Sequence, residues 1–146
     1  KKRMESIVST GRKMGVIQGI FFVILFQLTA SQLTGIFLDE KTGAEAAAAT
    51  LVFASTFLRL RGLGSPFQFI NFHSSYCMQA MGDGKSTIIH ALIRIVGIYI
   101  PLMFLLDRFM GENGLALALP VAEALSDFIA IFLLKRVLQS AADKKE

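Results

Sequence analysis

Charged residues are scarce in this chain of 146 amino acids, since only 18% are Asp, Glu, Lys or Arg while 53% are apolar. With a mean hydropathy of +0.57, that balance excludes an ordinary soluble domain and favours lipid as the solvent of the outer surface. Cysteine is nearly absent as well, and the single Cys77 excludes a disulfide within the chain. No nucleophile stands beside a base and an orienting acid, so we expect no catalytic residues and a protein that is not an enzyme.

Two short motifs carry too little signal for a site. His73 and Cys77 have the spacing of metal ligands on a helix, but His90 falls on another predicted helix, so we expect neither a metal site nor a cofactor. Residues 82–86 (GDGKS) resemble the end of a phosphate-binding loop, yet a helix precedes them, which favours a tight cytoplasmic turn. The net charge of +4 reflects membrane topology and does not indicate nucleic acid binding.

Long apolar segments recur along the chain, and a helix needs roughly 20 such residues to cross a bilayer. Their number predicts an all-α polytopic transmembrane helix bundle of about four spans. The predicted spans cover residues 15–38, 66–82, 86–106 and 114–134.

The stretch between the first and third of these spans is too long for one crossing. Basic residues flank both ends of the chain, and cytoplasmic segments carry the excess of Lys and Arg, so both termini are expected in the cytoplasm and the number of crossings is even. We therefore expect residues 44–61 to form a helix on the outer surface. We therefore expect a multi-pass protein of the cell inner (plasma) membrane. Its parts are a cytoplasmic basic flank (1–13), a transmembrane part (14–137) and a cytoplasmic tail (138–146).

Polar side chains recur at helical spacing within two of the predicted spans, which places each set on one face of its helix. The first set is Gln27, Ser31 and Thr34, and the second is Gln68, Asn71, Ser75 and Gln79. Uncharged amides and hydroxyls inside a membrane either join helices through hydrogen bonds or line a wet cavity. Both interpretations stay open for these residues.

Three charged side chains fall inside the last two spans, where each is costly unless it is compensated. Arg94 and Asp127 lie at matching depths, about 12 and 10 Å from the inner ends of their spans at 1.5 Å per residue, so we expect them to form an ion pair. The alternative is that Arg94 extends to cytoplasmic water. Glu123 lies nearest the midplane and is the candidate for a proton- or cation-responsive carboxylate.

Several short motifs, taken in order, resemble the C-terminal lobe of the multidrug and toxic compound extrusion (MATE) transporters, bacterial MepA-like branch. They are Phe57-Leu58-Arg59, Pro66-Phe67, Met78 to Lys85, Arg94 with Pro101-Leu102, Gly111, Gly114 and Pro120 to Asp127. The resemblance covers residues 14–137. It implies that the chain is a partial lobe of a twelve-helix transporter that exchanges sodium ions or protons for organic, mostly cationic, drugs.

The same resemblance assigns the two polar faces to a substrate cavity between lobes, with Phe67 and Met78 adding apolar contacts. Some members of the family carry an acidic residue near the position of Gln68, but no carboxylate lies between Glu45 and Asp83 here. The coupling ion, sodium or proton, is therefore expected to bind mainly to N-terminal helices outside this chain. The expected partners are the lipid bilayer, small-molecule drugs and those N-terminal helices, with no nucleic acid.

Two other functions stay open at this point. A flippase for lipid-linked oligosaccharide or polysaccharide has the same fold, but its cavity should hold several cations, whereas Arg94 is the only one at depth. A small four-helix membrane adaptor is the second alternative. Against it, the chain begins at Lys1 without methionine, and its polar faces need partner surfaces, so we expect a fragment of a transporter.

Overall fold

The computed structural model describes residues 2–37 and 44–143, and almost all of these residues are helical. The prediction of an all-α transmembrane bundle is confirmed. The helices are α1 (Lys2–Gly35), α2 (Ala44–Gly62), α3 (Ser65–Ala80), α4 (Gly84–Leu92), α5 (Ile100–Met110) and α6 (Glu112–Asp143), with a π-helical segment (Ile93–Tyr99) between α4 and α5. The predicted end of the first span at Leu38 and the outermost residues of both flanks lie outside the described residues.

Helix α1 runs antiparallel to α2 and α3, which follow one another along its length. The neighbours in order along α1 are His73 beside Val8, Phe69 beside Gly15, Pro66 beside Gly19, Gly62 beside Phe26 and Leu51 beside Gly35. Because the order of partners reverses without interruption from α3 into α2, these two helices form one line of packing against α1.

Within the part of the chain that the structure describes, three helices are long and apolar enough to cross a membrane, namely Arg3–Gly35, Gly84–Met110 and Glu112–Ala141. The pair Glu45–Gly62 and Ser65–Ala80, bent by 48° at their junction, meets the same criterion as one broken span. The fold thus offers three to four crossings. The expected surface helix at residues 44–61 differs from what is found, because α2 stays in the bundle beside α1; its depth in the lipid stays a prediction.

The junction of α2 and α3 is held by close backbone packing on two sides. A Cβ atom at Gly62 would lie 2.9 Å from the Phe26 ring, and one at Gly64 would lie 2.9 Å from Cα of Pro120 in α6. A Cβ atom at Gly19 of α1 would overlap the backbone of Pro66. Small residues allow helix backbones to approach closely inside membranes. These glycines therefore fix the bend against both neighbours.

The turn between α3 and α4 is fixed by a glycine and an acidic cap. Gly82 has φ of +81°, which L side chains rarely adopt, and this reverses the chain. Asp83 then caps α4, accepting hydrogen bonds from the Ser86 backbone N–H at 3.0 Å and the Ser86 hydroxyl at 2.8 Å. The expectation that residues 82–86 form a tight turn agrees with this geometry, and the acidic cap occupies the helix end that a phosphate would need.

The third apolar helix is not uniformly α-helical. Seven residues, Ile93–Tyr99, take π-helical hydrogen bonds immediately before Pro101. Proline lacks the N–H that would continue the α-helical hydrogen bonds, and its ring crowds the preceding turn. The wider π-helical turn relieves that crowding. This widened turn carries Arg94 and faces α6, against which both the π segment and α5 pack.

Candidate functional site

A cluster of buried polar side chains lies where α3, α4, the π segment and α6 meet. We call this cluster the Asn71 network; its members are Asn71, Ser75, His90, Arg94, Glu123 and Ser126. Among the residues that the structure describes, Asn71, His90, Glu123 and Ser126 are each at most 2% exposed. Burying a polar group costs free energy unless it forms a hydrogen bond. The members of this network satisfy one another, so their hydrogen bonds fix how the four segments pack.

Asn71 is the centre of the network, and its amide joins two helices. Its Nδ2 donates to the Glu123 carboxylate at 2.8 Å, to the Glu123 backbone carbonyl at 2.9 Å and to the Phe67 carbonyl at 3.2 Å. Its Oδ1 accepts from the Ser126 hydroxyl at 3.1 Å and faces His90 Nε2 at 3.0 Å. Since every neighbour of Nδ2 is an acceptor, the orientation of the amide is determined by its surroundings.

The orientation of Asn71 determines the tautomer of His90. Because Oδ1 of Asn71 can only accept, the facing Nε2 of His90 must carry a proton. The other ring nitrogen, Nδ1, lies 3.1 Å from the Ser75 hydroxyl, which can donate to it. The neutral imidazole thus satisfies both neighbours. His90 holds α4 against α3, and Thr87, which lies 3.4 Å from the Ser75 carbonyl, adds a second contact between the same helices.

Arg94 forms its ion pair with Glu123, and the predicted pair with Asp127 is therefore wrong. Arg94 Nη1 lies 3.0 Å from Oε1 and 3.3 Å from Oε2 of Glu123, and the guanidinium also lies 5.4 Å from the centre of the Phe72 ring. The depth estimate assumed inner ends at residues 86 and 134, whereas α4 begins at Gly84 and α6 continues to Asp143. Arg94 is also not directed to cytoplasmic water.

Asp127 is buried, and one of its carboxylate oxygens has no hydrogen-bond partner among the residues that the structure describes. Its side chain lies one turn beyond Glu123 on α6 and is 6% exposed, and the oxygen without a partner is Oδ1. Two other buried polar atoms share this condition, the Ser74 hydroxyl and Nε of Arg94. Glu123, the residue expected to respond to protons or cations, is instead neutralised by Arg94 and bound by Asn71.

The predicted polar face of α3 divides between two environments. Asn71 and Ser75 enter the network, whereas Gln79 is exposed and Gln68 lies in a cleft of about 230 Å³ between α1 and α3. Four aromatic side chains of that cleft surround Gln68; they are Phe22, Phe26, Phe69 and Phe72. The Phe22 and Phe69 rings stack across it at 6.1 Å.

The remaining cavity candidates lie apart from this cleft. On α1, Ser31 accepts from the Arg59 guanidinium at 3.3 Å, Gln27 donates to the Arg59 carbonyl at 3.3 Å, and the Thr34 hydroxyl donates to the Ala30 carbonyl at 2.9 Å. Phe67 is exposed at 38%, but Met78 is fully buried. Met78 packs in an apolar core with Val8, Leu134 and Val137. These assignments to a substrate cavity stay predictions.

Sequence reasoning missed two members of the network, His90 and Ser126. His90 was considered only as a metal ligand, although it lies four residues before Arg94 and hence on the same helical face. Ser126 lies three residues after Glu123 and shares a face with it for the same reason.

Within the residues that the structure describes, no group of three or more His, Cys, Asp or Glu side chains could hold a metal ion. His73 and Cys77 contact each other at 3.6 Å, and His73 also binds the Val8 carbonyl.

A helical membrane bundle with charges sealed between its helices defines a polytopic membrane protein, and comparison with known proteins gives its family. The MatE family model matches residues 1–105, so the chain belongs to the MatE family of transporters. It is 31% identical, over its whole length, to the multidrug export protein MepA of Staphylococcus saprophyticus. It is 27% identical, over 92% of its length, to the multidrug export protein MepA of Staphylococcus aureus.

The chain spans about a third of the length of these curated relatives, 31% of the first and 29% of the second. No solved structure matches the chain. The comparisons support a multidrug efflux transporter and do not favour the flippase or the adaptor.

Proposed function

We propose that the chain acts as part of a longer secondary transporter that exports organic, mostly cationic, compounds in exchange for sodium ions or protons. The observation that carries this proposal is the similarity, along the whole chain, to proteins named for multidrug export. The proposal includes the expected topology, a multi-pass protein of the plasma membrane with both termini in the cytoplasm. It also includes the remaining helices of the transporter as partners of this part.

The aromatic cleft supports the choice of substrate class. Phenylalanine faces attract cations, and a mostly apolar wall with one amide suits one apolar part of a lipophilic cation. Gln68 lines the cleft together with the Phe22 and Phe69 rings and gives it that composition. The cleft opens between α1 and α3, and Gln68 is the member of the two predicted polar faces that lines it.

The ion pair in the Asn71 network argues against the flippase. An anionic lipid-linked sugar would need cations that are available to bind it, but the guanidinium of Arg94 is already bound to the Glu123 carboxylate. Inside a membrane such a pair is neutral overall and offers little attraction to an anion. An organic cation does not need free cationic side chains for its binding.

Dye export tests the proposal directly. Cells that produce the full-length transporter should accumulate less ethidium than cells without it, and Phe69→Ala should reduce this protection because it opens the aromatic cleft. Phe132→Ala is the matched control, since that ring lies on α6 and is 66% exposed. Unchanged dye accumulation with the wild-type protein would refute drug export. Imposed sodium and proton gradients in proteoliposomes then identify the coupling ion.

A further inference from the structure

A groove separates α1 from α6 at the end of the bundle where α1 begins and α6 ends. Both helices pack on α3, but among the described residues they have little direct packing against each other. The groove has a volume of about 430 Å³. Its two walls are the face of α1 that carries Ser9 and Arg12 and the face of α6 that carries Ile131 and Lys135. The proposed export function gives this groove no role.

The floor of the groove is apolar and keeps the two walls in place. Val8 of α1 and Leu134 of α6 line it, are buried, and pack with Met78 of α3. Nε2 of His73, also on α3, lies 2.9 Å from the Val8 carbonyl and ties α1 to the same helix. Because α3 holds both walls, the groove is a fixed feature of the bundle.

Two cations face the groove from opposite walls. Arg12 is partly buried in the α1 wall, and Lys135 is exposed on the α6 wall. The ion pair found among the described residues joins Arg94 to Glu123, so neither groove cation is paired with a carboxylate there. Glu5 lines the same groove. Two cations and one carboxylate leave the groove with a net positive charge.

The groove lies where a membrane surface meets the helices. Arg12 comes three residues before the apolar segment that begins at Gly15, and Lys135 directly follows the apolar segment that ends at Leu134. Both cations therefore lie at the level of lipid headgroups. Phe128 follows Ile131 along the same face of α6 toward the membrane centre and is 75% exposed. An acyl chain that leaves the groove in that direction meets an open apolar surface.

These properties fit a phospholipid. Basic pockets between transmembrane helices at a membrane surface bind phosphate headgroups, and a phosphodiester accepts charge-assisted hydrogen bonds from a guanidinium and an ammonium group. The net positive charge favours a lipid with a net negative charge over a zwitterionic one. Glu5 lies one turn before Ser9, on the side away from the apolar segment, where it can accept hydrogen bonds from headgroup hydroxyls.

We propose that this groove binds one anionic glycerophospholipid, whose phosphate lies between Arg12 and Lys135 and whose hydroxylated headgroup reaches Glu5. The bound lipid joins α1 to α6 at the membrane surface, where the two helices have little packing of their own. The proposal depends neither on the compound that the transporter exports nor on its coupling ion.

Native mass spectrometry of the full-length transporter, titrated with phosphatidylglycerol in detergent, tests this site. The double variant Arg12→Gln with Lys135→Gln should bind the first lipid about thirtyfold more weakly than the wild-type protein, and each single variant about fivefold more weakly. The matched control is Lys13→Gln with Arg136→Gln, which removes the same charge from exposed neighbours outside the groove. The control should bind the lipid as the wild-type protein does.

The wild-type protein alone also tests the class of lipid. Phosphatidylglycerol should bind more tightly than phosphatidylcholine or phosphatidylethanolamine, and inorganic phosphate should not displace it. Equal binding of the three lipids would overturn the anionic assignment, and displacement by inorganic phosphate would show a site for the free ion instead. If the control variant loses as much affinity as the groove variant, the binding reflects overall surface charge and the proposal is wrong.

Thermal unfolding gives a second measurement on the same proteins. Without lipid, the groove variant and the control should melt close to the wild-type protein, because all four changes lie at the surface of the bundle. Added phosphatidylglycerol should raise the melting temperature of the wild-type and control proteins but not that of the groove variant. An equal rise in all three would show that the lipid stabilises the protein elsewhere, and that result would overturn the proposal.

Discussion

The Arg94 guanidinium lies 3.0 Å from the Glu123 carboxylate, across the contact between the π segment and α6. The Arg94 side chain is 18% exposed and that of Glu123 is 3% exposed, so the pair is largely removed from water. Removing one partner of a buried pair leaves an uncompensated charge, and this usually costs about 3–5 kcal/mol. The pair is therefore a strong test of the packing described for these helices.

We expect Arg94→Met and Glu123→Gln each to lower the thermal stability of the protein in detergent, with the arginine change costing about 3–5 kcal/mol. The exchange Arg94→Glu with Glu123→Arg should recover part of that loss. The parallel exchange Arg94→Asp with Asp127→Arg should recover none. Recovery in the second exchange but not in the first would show that Arg94 belongs with Asp127.

Asn71→Leu should destabilise the bundle by about 1–3 kcal/mol for each buried partner that it leaves unsatisfied, namely His90, Ser126 and Glu123. Asn71→Asp should be at least as harmful, because it sets a second carboxylate within hydrogen-bond distance of Glu123. Thermal unfolding in one detergent measures both. Gln79→Leu is the control on the same helix; its exposed side chain should change stability by about 0.5 kcal/mol or less.

Gly19→Ala should separate α1 from α3, since the added Cβ atom would overlap the Pro66 backbone. Overpacking of this kind costs about 1–3 kcal/mol. Gly15→Ala, one turn earlier, is the matched control: its Cβ atom would lie 3.5 Å from the Phe69 Cβ, an ordinary contact, while alanine favours the helix. Equal melting temperatures for the two variants would contradict the close approach at Gly19.

The course of α2 along α1 can be tested by cross-linking. A Cβ atom at Gly35 would lie 3.9 Å from Cδ1 of Leu51, so cysteines at positions 35 and 51 should be joined by a short bifunctional maleimide in a Cys77→Ser background. Cysteines at 35 and 76 should remain unlinked, because Tyr76 lies near the far end of α3. A helix that leaves the bundle for the outer surface would give no product with the first pair.

The sequence predicted the helical class because long apolar segments leave few alternatives in a membrane. It also placed Asn71 and Ser75 on one face of α3, since helical spacing is a local property. Which charges meet is not local. The partner of Arg94 depends on how the π segment and α6 pack against each other, and hydropathy does not show this.

The position of α2 illustrates the same limit. Charge parity favours an even number of crossings, and the fold offers three to four, but parity does not distinguish a surface helix from half of a broken span. That distinction depends on contacts between residues far apart in the sequence. Gly35 and Leu51, or Gly64 and Pro120, have no pattern in common that would reveal their proximity.

The glycine contacts around the junction of α2 and α3 have a mechanical consequence. Because Gly62 is held against Phe26 of α1 and Gly64 against Pro120 of α6, the angle between the two helices cannot open without breaking contacts on both sides. These contacts therefore hold α1, α2, α3 and α6 in one fixed arrangement. In the proposed transporter, movement between its parts should therefore occur outside these four helices, and substitutions that loosen their junction should weaken transport without removing a contact to the substrate.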